Sequence, residues 1–173
     1  MLYDLLKSRR SIRKFENREV EKEKLDAILK SALLSPSSRA RRPWEFIAVT
    51  DRELLKKLSK CREGSSLSLE SAALGIVIIA DPDSSDIWIE DASIASVIIQ
   101  LSAQSLGLAS CWVQVRERFH SGDVKAEDYI KNILGIPERY KVENMVAIGY
   151  PAEKKEPHDE KSLLSDKLHF NGY

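Results

Sequence analysis

The order of apolar segments along this sequence predicts one mixed domain in which a single central sheet is covered by helices. Three observations carry that expectation. Residues 75–80 form an uninterrupted apolar run cut by Asp81-Pro82, as a strand buried on both faces would be. Apolar residues recur at helical spacing in residues 21–34 and 124–134. A third helical segment, residues 86–106, is apolar nearly all round. With 173 residues, 43% hydrophobic and 31% charged, residues 1–173 suit one ordinary domain with a real core. Alternating strands and helices, taken alone, point to a doubly wound parallel sheet. Against that reading, no G-x-G-x-x-G or G-x-x-x-x-G-K loop follows any strand.

Taken in order, Leu2, Leu5 and Leu6 make a short apolar stripe that ends at the basic run 7–14, so a brief helix should empty into extended chain. The helix over 21–34 carries Leu25, Ile28, Leu29, Ala32 and Leu33 and stops at the turn Ser35-Pro36-Ser37-Ser38. Residues 45–49 read as a strand, and Thr50 with Glu53 reads as a capping box for a helix over 51–60. Ser84 and Ser85 are candidate N-caps for the helix over 86–106, roughly 30 Å long at the standard rise. Its Ile87, Ile89, Ile94, Val97, Ile98, Ile99 and Leu101 cannot all face one small core, so part of this helix should meet a partner chain. Gly107 ends it. Residues 109–115 form a further strand, 124–134 an amphipathic helix ended by Gly135 and Pro137, and 142–150 a strand ended by Pro151. Residues 151–173 form a charged tail whose last apolar groups, Leu168, His169, Phe170 and Tyr173, need somewhere to dock.

Charge and composition remove several classes of function. Lys plus Arg and Asp plus Glu both number 27, so no overall field draws the chain to nucleic acid or to an anionic membrane. Neither the opening residues nor any later segment has the pattern of a secretory signal or a membrane span, and a cytoplasmic protein is expected. Cys61 and Cys111 have no metal-ligand spacing to each other or to His120, His158 or His169, and no metal is expected. Asp81, Asp83 and Ser85 mimic a calcium loop, but Asp86 and Ala92 stand where glycine and glutamate are required. Ser37 and Ser38 lie in no nucleophile elbow. With no evident nucleophile or general base, chemistry carried by a bound cofactor is the natural reading.

Two basic clusters could hold such a group. In an extended Arg9-Arg10-Ser11-Ile12-Arg13-Lys14-Phe15, alternation sends Arg9, Ser11 and Arg13 to one side, a set of donors suited to a phosphate monoester. A solvated basic loop or a nucleic-acid patch would use the same residues. Arg39, Arg41 and Arg42, before Pro43-Trp44, form the second cluster, which reads either as a charged turn or as part of a site for an anionic ligand.

The ordered set of motifs resembles the nitroreductase family over nearly the whole chain. Arg9-Arg10-Ser11-Ile12-Arg13-Lys14-Phe15 is similar to its N-terminal R-R-S-x-R-x-F signature, and Ser35-Pro36-Ser37-Ser38 with Pro43-Trp44 to its second segment. Leu106-Gly107-Leu108-Ala109-Ser110-Cys111-Trp112 resembles its L-G-L-G-S-C-W segment, Ile148-Gly149-Tyr150-Pro151-Ala152 its G-Y-P-A strand end, and His169-Phe170-Asn171 its tail. The resemblance replaces the parallel sheet with an α+β fold: a mainly antiparallel central sheet flanked by helices, with the long helix at a homodimer interface and residues 151–173 extending across the partner.

By the same resemblance, each of two FMN sites would draw on both chains. Arg9, Arg10, Ser11 and Arg13 would hold the phosphate and ribityl chain, with Lys161 as a further phosphate candidate. Leu108, Ala109, Ser110 and Gly149 would line the flavin, and Pro36, Ser37 and Ser38 would come from the other subunit. Catalysis would be flavin-centred, with no catalytic side chain: reducing equivalents from NADH or NADPH would pass through flavin N5 to a small organic acceptor such as a nitroaromatic or quinone. The alternative function is an FMN-binding redox sensor or storage protein with little turnover. Three departures stand out: Ala40 and Arg42 occupy places where the family commonly has Asn and Gln, and Ala109 stands where glycine is usual.

Overall fold

The computed structural model describes residues 1–62 and 67–173. Its sheet has four strands in the order β1 (Trp44–Val49), β2 (Leu74–Ala80), β6 (Lys141–Gly149) and β3 (Ala109–Gln114). Every ladder between these strands is antiparallel, which corrects the parallel arrangement suggested by alternation and agrees with the α+β expectation. All seven residues of β2 are buried because helices cover both faces of the sheet, so the apolar run reports a three-layer stack and carries no information on strand direction.

On one face, α2 (Lys22–Leu33) and α5 (Trp88–Ser105) pack through Ile28, Ala32, Ile99 and Ala103 on Ile76, Ile78, Val146 and Ile148. On the other, α3 (Arg52–Leu58), α4 (Ser68–Ser71) and α6 (Ala126–Leu134) bring Leu55, Leu58, Leu69 and Ile130 onto Val77, Val113, Met145 and Ala147. Cys61 and Cys111 are buried in this second layer and are not joined by a disulfide. Among the described residues no helix is long and apolar enough to cross a membrane.

Local chemistry sets the boundaries. Asp51, rather than Thr50, caps α3, accepting the Leu54 N–H at 2.8 Å, because its carboxylate reaches a free amide of the helix's first turn. The long helix begins at Trp88, two residues later than expected. Ser85 is not its cap: the hydroxyl donates at 3.2 Å to Asp91, inside the first turn, while the Ser85 carbonyl accepts the Trp88 N–H. Residues 119–125 hold a small hairpin, β4 (Phe119–Ser121) and β5 (Val124–Lys125), turning at left-handed Gly122, so α6 starts at Ala126 rather than 124. Gly107 and Gly135 end α5 and α6 with φ of 75° and 65°, as their sequence positions imply. A bulge in β6 opposite Ile78 and Ile79 turns both Glu143 and Asn144 toward α5, where Asn144 donates to Ser96 at 2.7 Å. Burial raises the Glu143 carboxyl above its ordinary range.

Along α5, Ala92, Ala95, Ser96, Ile99 and Ala103 are buried, whereas Ile94 and Val97 are exposed, 42% and 45% respectively. The tail is bare as well, with Leu163, Leu164, Leu168, Phe170 and Tyr173 all exposed. The apolar surplus read from the sequence therefore lies on the surface of the single chain.

The end of β6 is tied to the chain's start. Phe15 bridges to Pro151, and a Cβ placed on Gly149 would lie 3.1 Å from the Phe15 Cβ and Cδ1. Close packing of that ring accounts for the glycine. Beside it, Arg18 stacks 3.7 Å above the Tyr150 ring, Lys24 donates to the Tyr150 hydroxyl, and that hydroxyl donates to Glu21 at 2.7 Å. The Tyr150 hydrogen bond, first among several causes, holds the Glu21 carboxyl at about 2.

Gly149→Val should overpack this contact and lower unfolding free energy by about 1–3 kcal/mol, read by urea denaturation. The Glu21 cluster predicts a pH effect of defined sign. A depressed folded-state pKa gives stability that is present above the unfolded carboxyl's value and lost as pH falls through the folded one. In acid titrations followed by circular dichroism, the stability gap between the native chain and Tyr150→Phe should therefore be widest near neutrality and close between about pH 4.5 and about pH 2.

Candidate functional site

Helix α1 (Leu2–Ser8) stops where Arg9 takes extended backbone, and residues 9–15 then run as a strand-like segment between two supports. On one side Ser11 pairs in parallel with Ser110, and the Ile12 N–H donates to the Ser110 carbonyl at 3.1 Å. On the other side the chain beyond β6 folds back along it. The Ala152 N–H donates to the Lys14 carbonyl, the Arg13 N–H to Glu153 at 2.6 Å, Lys155 Nζ to the Ser11 carbonyl at 2.6 Å, and the His158 N–H to the Lys7 carbonyl. The Arg10 guanidinium donates to the Glu156 carbonyl. The Arg13 N–H, the largest contributor, holds the Glu153 carboxyl below its usual value.

Two clefts open on this segment. One, of about 210 Å3, has Arg10, Ile12, Leu108, Ala109 and Lys155 on its walls. The other, about 650 Å3, is lined by Arg13, Lys14, Arg62, Trp112 and Gln114, and its wall includes the Ser68 hydroxyl, buried and without a partner among the described residues. Arg10 and Arg13 thus flank the segment on separate clefts, while Ser11 is tied between Ser110 and Lys155. Leu108, Ala109, Ser110 and Gly149 are all buried at the same end of the sheet. Guanidinium and ammonium donors beside an apolar wall fit a flat ring carrying a phosphate.

Pro36, Ser37 and Ser38 lie elsewhere, between α2 and β1. The Ser38 N–H donates to Asp91 Oδ1 at 2.8 Å, and Ser37 Oγ accepts the Arg42 N–H at 2.9 Å. Asp91 is 2% exposed and pins this loop to the first turn of α5. The next residues are strained: Arg39, Ala40 and Arg42 have φ of 50°, 54° and 49°. Left-handed backbone costs roughly 1–2 kcal/mol per non-glycine residue, and asparagine tolerates it better than alanine or arginine. The positions where the resemblance leads one to expect Asn and Gln are both left-handed here, so this loop keeps its shape without the residue best suited to it.

Within one chain the two groups cannot meet. Trp44 pairs with Ala80 at one end of the sheet, whereas Ala109 pairs with Gly149 at the other. Asp91 stands in the first turn of α5, and Gln104, which donates to Ser8, in the last. Thirteen residues of helix put them about 20 Å apart. Lys161 joins neither group. It sits on the exposed tail beyond Glu160, which is held to Lys7 at 2.8 Å. Lys155 and Asp91 were not singled out from sequence. The Lys154-Lys155 pair, one residue beyond the G-Y-P-A segment, could have suggested the former; nothing in the sequence distinguishes Asp91 from the other acids at the start of α5.

The sequence matches the profile of the Nitroreductase family over residues 6–66 and 62–150. A protein of Archaeoglobus fulgidus, provisionally named NADH dehydrogenase/NAD(P)H nitroreductase, is 37% identical over 170 residues, covering 95% of this chain and 94% of that one. Among solved structures, an FMN-dependent nitroreductase from Clostridium difficile R20291 superposes with a TM-score of 0.96 at 52% identity, over 98% of each chain. The NADPH:FMN oxidoreductase of Vibrio harveyi, complexed with NAD+, shares the fold at 22% identity, with a TM-score of 0.81 over 99% of this chain and 77% of that one. With the antiparallel sheet, the long helix and the ordered motifs already in place, these matches establish that the chain belongs to the nitroreductase family and is an oxidoreductase.

Proposed function

We propose that this protein is a homodimeric, FMN-dependent oxidoreductase that takes reducing equivalents from NADH or NADPH and delivers them to a small organic acceptor. One observation carries the reading. The Arg9 to Arg13 segment and the Ser37–Ser38 loop sit at opposite ends of α5, and the side of that helix between them exposes Ile94 and Val97. Two copies packed α5 against α5 about a two-fold axis bury those side chains and bring each basic segment to the other copy's serine loop. A pair of equivalent sites, each built from both chains, follows from the symmetry. The exposed apolar tail has the composition to lie across the partner.

At such a site Arg10 and Lys155, which share one cleft, would hold the phosphate, with Ser11 and Ser110 along the chain that leads to the ring. Arg13, on the neighbouring cleft, would offer its charge to the cofactor from the other side of the segment. Leu108 and Ala109 would form the apolar wall, Pro36, Ser37 and Ser38 the far side. Bound FMN supplies two-electron redox chemistry, and the chain's own part is to bind it, orient it and surround its electron-rich pyrimidine edge with positive charge and main-chain N–H groups. Aromatic nitro compounds and quinones fit as acceptors because flat, electron-poor rings stack well on such a surface.

Arg13→Ala and Arg10→Ala should each weaken FMN retention about tenfold or more, since each removes a charge-assisted contact to the cofactor. Arg139→Ala, at the opposite end of the sheet beside Tyr140, should leave retention near native. Flavin absorbance of protein dialysed to equilibrium distinguishes them, and equal losses in all three would sink the assignment of the cofactor to this segment. Replacing Ile94 and Val97 together by Glu should give a monomer in sedimentation that no longer keeps FMN; a flavin-loaded monomer would refute the shared site.

A further inference from the structure

We propose that Arg39 and Arg42 form an oxyanion-reading rim at the slot shared by reductant and acceptor, so that the enzyme favours partners carrying a carboxylate or phosphate beyond the reacting ring. This rests on the shared flavin site proposed above, because it is the Ser37–Ser38 loop that carries the two arginines to that slot.

The loop is costly to hold. Three of its four residues from 39 to 42 are left-handed and none is glycine. Such strain persists only where surrounding contacts dictate it, and it concentrates at ligand sites. Here the dictating contacts are Asp91 on the Ser38 N–H, the Ser37 hydroxyl under the Arg42 N–H, and the Ala40 and Arg41 N–H groups closing on the Ser37 and Ser38 carbonyls. The main chain is therefore committed at every step, and the side chains it presents have a fixed origin.

Of those side chains, one is spoken for and two are not. Arg41 pairs with Asp86 at 3.0 Å. Arg39 and Arg42 are exposed, and neither guanidinium has an acidic or hydrogen-bonding partner among the described residues. Two guanidinium groups carried on a strained turn, next to residues that would touch the flavin, have the chemistry to bind an oxyanion through paired, charge-assisted hydrogen bonds. The chain's net charge is balanced, so an attraction of this kind is local to the turn and not a property of the whole molecule. The oxyanion can belong to the acceptor, as a ring carboxylate, or to the reductant, as the 2′-phosphate of NADPH.

The test uses purified holoprotein and the variants Arg39→Ala/Arg42→Ala and Arg39→Lys/Arg42→Lys. One arm compares kcat/KM for 4-nitrobenzoate and 4-nitrobenzamide, a second compares NADPH and NADH with menadione as acceptor, and a third titrates benzoate and 2′-AMP calorimetrically without turnover. In the alanine pair at least one anionic-to-neutral ratio should fall about tenfold, the size of a lost charge-assisted contact, with partial recovery in the lysine pair. A fall for nitrobenzoate and benzoate assigns the rim to the acceptor; a fall for NADPH and 2′-AMP assigns it to the reductant. If every ratio stays within about twofold of native, the proposal is overturned. Protein that carries no flavin chromophore overturns the shared flavin site instead, and the calorimetric arm still decides whether the two arginines read an oxyanion.

Discussion

The packing of α5 is the constraint on which the rest of this molecule depends. Its small residues, Ala92, Ala95, Ser96 and Ala103, let it lie close on the sheet, while Ile94 and Val97 are left facing outward. Because the helix is rigid, it fixes the separation of the groups bound at its two ends, Asp91 with the serine loop and Gln104 with Ser8. Neither group alone encloses a ligand. An exposed hydrophobic surface and an incomplete site lie on the same helix, so in the proposed dimer the area that stabilises association would also complete the pocket.

The basic segment has a comparable economy. Residues 9–15 form no ladder of their own beyond isolated bridges, yet they are held on both edges, by β3 and by the returning chain. Lys155 reaches the Ser11 carbonyl and Glu153 takes the Arg13 N–H, so charges that could repel along a run of cations are anchored by main-chain contacts instead. The tie between Phe15 and Gly149 sets the depth at which this segment sits, which explains the glycine without any ligand.

Much of the fold was legible because hydrophobic period reports burial directly: α2, β2, α5, α6 and β6 all lie within two residues of where apolar spacing put them. Strand direction was not, since burial on both faces looks the same in parallel and antiparallel sheets, and the family resemblance supplied what periodicity could not. Cap assignments slipped where several acceptors compete. Asp51 displaced Thr50, and Ser85 turned to Asp91 because a buried carboxylate needs a donor more than the helix needed a cap. Of the site, the basic segment and the serine loop were readable as motifs, but Asp91 and Lys155 act through contacts between residues far apart in the chain, which no local pattern encodes. Likewise, the left-handed backbone at Ala40 and Arg42 is invisible in residues that do not favour it.

That same turn has a consequence for anyone engineering this scaffold toward heat tolerance. Glycine or asparagine at 39, 40 or 42 would relax a backbone that arginine and alanine hold under tension, so screens for hardier variants should converge there early. A change at 39 or 42 would also remove an arginine, whereas one at Ala40 would relieve the backbone and keep both.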